Sequence, residues 1–126
     1  SGSFTTMTMD VISARYVKVG HLVSFQCYIR TDNVNTTGTG GQLTIEGLPY
    51  ANAGSNNFAP CYVGYAQDWA TAPAGGYVVT GGSFIYLTKR VTGINGDLTE
   101  MVAGDMTTGA VASENQLMIS GSYYSF

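Results

Sequence analysis

Charge is scarce in this 126-residue chain. Only 10% of its residues are charged, five Lys and Arg against eight Asp and Glu, for a formal net charge of −3. Nucleic acid is held by a surplus of cations. Here only Arg15/Lys18 and Lys89/Arg90 bring basic residues close together, so no nucleic acid is expected as a partner. Cysteine is almost missing: Cys27 and Cys61 cannot make a disulfide framework. Free thiols are expected, with one disulfide as the alternative. His21 is the single histidine and no Ser sits in a Gly-x-Ser-x-Gly elbow, which leaves a nucleophilic triad without its parts. The same shortage of His and Cys excludes a zinc site. No apolar run approaches the ~20 residues that span a bilayer, and no signal-peptide pattern opens the chain, so no membrane insertion is expected. Ser1-Gly2-Ser3 has the look of a cloning scar, and residues 4–126 are read as one domain.

What remains is rich in Gly (17) and Tyr (9), with many Thr and Val. Such a weakly charged, aromatic, turn-rich composition favours an all-β protein. The stretch Arg15 to Arg30 carries the clearest pattern. From Leu22 onward, Val23, Phe25, Cys27 and Ile29 alternate with Ser24, Gln26, Tyr28 and Arg30, the period of a half-buried strand. Tyr16, Val17 and Val19 form a short strand before it. Gly20-His21 between the two suits a type II′ turn, and a central hairpin is expected.

The chain before and after reads as further short strands. Phe4–Ile12 alternates approximately, and Thr31–Gly41 is a polar loop followed by the strand Gln42–Glu46. Its glycines lack the Gly-Lys-Ser/Thr of a phosphate cradle. Asn35-Thr36-Thr37 fits a glycosylation acceptor, a pattern frequent by chance. Ala51–Asn57 is a loop, Pro60–Tyr65 a strand, Tyr77–Thr80 and Ser83–Thr88 a pair around Gly81-Gly82, and Gln116–Tyr124 a closing strand. Leu98–Ala103 has the makings of one helical turn. About eight antiparallel strands at ten-residue spacing, with no internal repeat, indicate a jelly-roll or TNF-like β-sandwich.

Candidate chemistry is sparse. A glycosidase needs two carboxylates facing across a cleft. Asp97, Glu100 and Asp105 are the only acidic cluster, read as solvated loop charges. Asn95-Gly96-Asp97-x-x-Glu100 offers oxygens without the spacing of a known calcium loop, the lesser alternative. No metal, cofactor or enzymatic activity is expected. Sugar binding is better served, because sugars stack C–H faces on aromatic rings and need amides and carboxylates for their hydroxyls. Asn56, Asn57, Tyr65, Gln67, Asp68 and Trp69 supply both kinds. Trp69 is a sugar platform or a plug over one end of the sandwich. Tyr62 and Tyr65, on strand pattern, are read first as structural. Tyr16, Tyr28 and Tyr86 fall at outward positions, as expected of a homotrimer interface.

Three segments carry a resemblance. Arg15–Val23 resembles the Tyr-x-Lys-Ile-Gly-Asn-x-Val opening of a domain at the C-termini of bacteriophage tail fibres and tailspikes. Gln42–Tyr50 is similar to its Leu-x-Ile-x-Gly-Leu-Pro-Phe segment, and Ile119–Tyr123 to its terminal strand. They occur in family order and bracket nearly the whole chain. The sequence departs at His21, where Asn is common, and across Ala51–Gly76. The resemblance implies a jelly-roll that forms a three-fold knob at a fibre tip, registers three chains and touches a bacterial surface polysaccharide or outer-membrane receptor. It also implies a place in the virion, after assembly in the host cytoplasm. The alternatives are a purely structural trimerisation cap, with binding or depolymerase activity upstream, and a cellular lectin-like adhesion module.

Overall fold

The computed structural model describes residues 4–36, 40–91 and 96–126. Residues 1–3, Thr37 of the acceptor pattern and Asn95 of the calcium candidate lie outside the described residues. Eight strands form one antiparallel sheet: β1 (Phe4–Val19), β2 (Leu22–Thr36), β3 (Thr44–Glu46), β4 (Ala59–Gln67), β5 (Gly75–Val78), β6 (Phe84–Arg90), β7 (Leu98–Glu100) and β8 (Glu114–Tyr124). Their order is β1-β2-β8-β4-β5-β6-β3, with β7 also on β6. The chain is all-β with eight antiparallel strands.

The hairpin turn is as expected. Val19 pairs with Leu22 across Gly20-His21, and Gly20 takes φ 59° while His21 stays out of the left-handed region, the type II′ signature. Four readings of the sequence need correction. Phe4–Ile12 and Tyr16–Val19 are one 16-residue strand, β1. Register shifts between Phe4 and Thr6, Thr8 and Met9, and Met9 and Val11 reset its faces, which is why its sequence alternation looks broken. The hairpin lies at a flank of the sheet, and β8 takes the place between β2 and β4. Thr31–Thr36 continues β2 because Thr31 is buried and bonds the Glu114 carbonyl at 3.0 Å, while Val34 exchanges backbone bonds with Gly109. Leu98–Ala103 is not a helical turn. β7 pairs with β6 there, and a short 3-10 turn follows at Ala103–Asp105.

The sheet curls until its two ends meet. Tyr50, just past β3, sets its ring edge-on to Tyr16 of β1 at 6.0 Å, with the Lys18 ammonium 4.2 Å over its face, a cation–π contact. Inside the curl lie Val23, Phe25, Leu43, Cys61, Val78, Ile85, Leu87, Met101, Leu117, Ile119 and Tyr123. β3 and β7 share one edge of β6, and a ring of three backbone bonds joins them. Leu87 N–H donates to Leu43 O at 3.2 Å, Leu43 N–H to Met101 O at 2.8 Å, and Met101 N–H to Leu87 O at 2.8 Å. All three side chains are buried. Both cysteines are free. Burial pushes the Cys61 thiol up to about 12 and raises Cys27 as well, so Cys61 behaves as a small apolar side chain.

Of the three acidic residues expected to be solvated, Asp97 is exposed, while Glu100 and Asp105 find partners. Lys89 Nζ donates to both carboxylate oxygens of buried Asp105, at 2.7 and 2.8 Å, and Val102 N–H donates to Oδ2 at 2.8 Å. Burial alone raises the Asp105 carboxyl, but the bonds from Lys89, Val102 and Thr71 outweigh it and hold the group below its ordinary value of 3.8. Folding therefore favours the ionised form. The stability it adds is complete above the unfolded-chain value and is lost as pH falls through the lower folded value.

Two outcomes are expected. Asp105→Asn leaves the Lys89 ammonium without a counter-charge and lowers stability at pH 7 by about 3 kcal/mol. It also flattens the wild-type fall in melting temperature below pH 4, as thermal unfolding followed by circular dichroism from pH 7 to pH 2 will show. Gly121 is packed so closely that a Cβ would stand 3.0 Å from Cys61 Sγ and 3.1 Å from the Phe25 ring. Gly121→Ala is expected to cost about 1–3 kcal/mol by overpacking, measured by urea denaturation.

Candidate functional site

Antiparallel register decides which side chains share the outer face of β1, β2, β8 and β4. Arg15 pairs with Gln26, Gln26 with Ser120, and Ser120 with Tyr62, so these four lie in one row. Ser13, Tyr28, Met118 and Tyr65 make the next. Each row crosses three inter-strand gaps, about 14 Å from end to end. The alternation that buries Cys61 forces Tyr62 outward, where it is 67% exposed. Between Tyr62 and Tyr65 the β4–β8 ladder shifts register at Gly64, whose missing side chain leaves open space. The result is a cleft of about 380 Å³ lined by Ser13, Arg15, Gln26, Tyr28, Tyr62, Gly64, Met118 and Ser120. Its size is that of a small-ligand site.

The polar groups at one end of the cleft are linked. Tyr28 OH donates to Gln116 Oε1 at 3.3 Å, Gln116 Nε2 donates to Asp68 Oδ2 at 3.3 Å, and Tyr65 OH donates to Gln67 Oε1. These bonds engage both tyrosine hydroxyls, while the side chains of Arg15, Gln26, Ser120 and Tyr62 have no hydrogen-bond partner among the described residues. An aromatic ring beside a guanidinium, an amide and hydroxyls is a surface that holds polyhydroxylated ligands.

The six residues expected to bind sugar do not come together. Tyr65, Gln67, Asp68 and Trp69 sit at one end of β4, and Asn56 and Asn57 precede its other end, about 30 Å away. Asn57 is used in its own loop and against the β5–β6 turn. Its N–H donates to Thr80 Oγ1 at 2.8 Å and its Nδ2 to Ala53 O at 2.9 Å. Asn56 is exposed with φ 53°. Trp69 is half-buried against the core, its Nε1 donating to the Gln116 carbonyl at 2.8 Å. Tyr62, read from its strand pattern as structural, is the exposed ring. The apolar neighbours Cys61 and Val63 were the signal that turns it outward.

The three tyrosines expected at an interface lie on separate surfaces. Tyr16 pairs with Phe25 and so faces the Phe25 side of the sheet, against Tyr50. Tyr28 is on the front face. Tyr86 is on the back with Phe84 at 5.2 Å and Tyr77 at 5.4 Å, all half-buried. Tyr77 donates to Glu100 at 2.7 Å; burial and that bond push the phenol up to about 12, and the bond holds the Glu100 carboxyl low. Of the expected acidic cluster, Glu100 and Asp105 are thus each bound to a different partner. No group of three His, Cys, Asp or Glu that would hold a metal occurs among the described residues.

Set against known families, curated proteins and solved structures, the chain finds no match. Trp69→Ala is expected to lower stability by about 2 kcal/mol, through lost packing and an orphaned carbonyl. Denaturant titration measures this directly.

Proposed function

We propose that this chain is the three-fold tip domain of a bacteriophage tail fibre or tailspike, and that it recognises a bacterial surface glycan in the front cleft. On this reading the curled sheet is a TNF-like jelly roll. The ordered resemblance of Arg15–Val23, Gln42–Tyr50 and Ile119–Tyr123 supports it.

The observation that carries the assembly is β1. It is a sixteen-residue edge strand, paired only with β2, exposing Ile12, Val17 at 58% and Val19 at 72%. Exposed Leu22, Tyr124 and Phe126 extend the apolar surface around the hairpin end. A long apolar edge left bare invites aggregation, and a closed ring of identical chains covers it. Recognition is assigned to the cleft because Tyr62 offers a free ring beside hydroxyl, amide and guanidinium groups, while Trp69 is occupied by packing.

Analytical ultracentrifugation is expected to give the mass of three chains. Val19→Glu, at an exposed position, should raise the trimer dissociation midpoint at least tenfold without unfolding the subunit. A single-chain mass for wild type would end the proposal of a trimer. Tyr62→Ala, and Gly64→Leu, which projects a side chain into the open cleft, should each abolish adsorption to bacterial cells and leave the trimer intact. Unchanged adsorption by both would remove the cleft as the recognition site.

A further inference from the structure

The front cleft is unusual in its charge. The chain carries a formal net charge of −3, yet among the described residues the only ionisable cation or carboxylate lining the cleft is Arg15. The other cations on or near β1 and β2 are engaged. Arg30 pairs with Asp10 at 2.7 Å, and Lys18 lies over Tyr50. Arg15 has no ion pair among the described residues. Glu46 lines a separate cleft, between β1 and β3, that Arg15 also borders, and stands outside 4 Å of its guanidinium. Partnerless, exposed and set in a row with Gln26, Ser120 and Tyr62, Arg15 presents a fork of N–H donors to whatever enters.

A planar guanidinium matches a carboxylate through two parallel hydrogen bonds, a geometry that lysine cannot reproduce. The rest of the row suits a saccharide ring. We infer that the cleft takes an acidic sugar, a uronate- or sialate-type residue, whose carboxylate pairs with Arg15 while its C–H face stacks on Tyr62 and its hydroxyls bond Gln26 and Ser120. The inference rests on the cleft being the glycan site and names the class of glycan it selects. A neutral saccharide fills the same volume but leaves the guanidinium without a counter-charge, so selectivity resides in one residue.

The test uses the intact protein, immobilised, and a panel of acidic bacterial capsular polysaccharides. Each is offered native and after carboxyl reduction, which turns the carboxylate into a neutral primary alcohol and preserves the linkages. Binding is read by biolayer interferometry at 50 and 500 mM salt. At least one native polymer is expected to bind, with affinity falling tenfold or more on carboxyl reduction and falling also with salt. Arg15→Gln should reproduce that loss on the native polymer and leave the reduced polymer unaffected, so that the two changes do not add. Arg15→Lys should recover only part. Tyr62→Ala should weaken both polymers.

Equal binding of native and reduced polymers, or an Arg15→Gln protein that binds the native form as wild type does, overturns the acidic-sugar inference and leaves a neutral glycan site standing. Failure of every polymer, acidic or reduced, to bind wild type overturns the glycan reading of the cleft and this inference with it.

Discussion

The structure depends on the alternation along β8. Asn115, Leu117, Ile119, Gly121 and Tyr123 point inward, while Met118, Ser120, Ser122 and Tyr124 point out. β8 is hydrogen-bonded on both sides, to β2 and to β4. A slip of one residue would send its whole apolar set to water and put a side chain where only Gly121 fits between Cys61 and Phe25. The same register builds the front cleft. Ser120 is paired on both sides, and it brings Gln26 from one side and Tyr62 from the other into a line. Core and surface are thus specified by one choice of phase.

Much of this was legible in the amino acids. The type II′ turn at Gly20-His21 and the pairing of β5 with β6 around Gly81-Gly82 follow from local chemistry, because a tight turn demands particular residues. The buried Ile85 and Leu87 follow from a clean period of two. Where the pattern was blurred, the cause was non-local. The bulges in β1 disguise one strand as two. The 31–36 segment looks like a polar loop, yet its Thr31 and Val34 are satisfied by Glu114 and Gly109, far along the chain. The site was half legible. Tyr65 lies opposite cleft-lining Met118, and Asp68 connects to cleft-lining Tyr28 through Gln116. Trp69, however, bonds a carbonyl of β8, and Arg15 and Ser120 reach Tyr62 only through pairings that no single stretch reveals.

Several of the few charged side chains have a structural use. Asp10 neutralises Arg30, Asp105 anchors Lys89 to the turn after β7, and Lys18 lies on the ring that closes the curl. Glu100 holds the Tyr77 hydroxyl on the opposite face. These are structural uses, in which the partner lies on a different strand or loop and the contact fixes how the two sit together. Among the cations of β1 and β2, Arg15 has no such partner among the described residues.

The place of β8 also bears on how the molecule comes into being. Of the eight strands it is the last to be made, yet it must slide between two synthesised much earlier, and Ser24 touches Ser122 from 98 positions away. Until it arrives, the β1–β2 hairpin and the β4–β5–β6 portion have no ladder in common. Such distant pairing closes large loops before any reward is gained, which slows folding. A chain made in this order can complete neither the inner edge of β2 nor that of β4 until its final strand is in place.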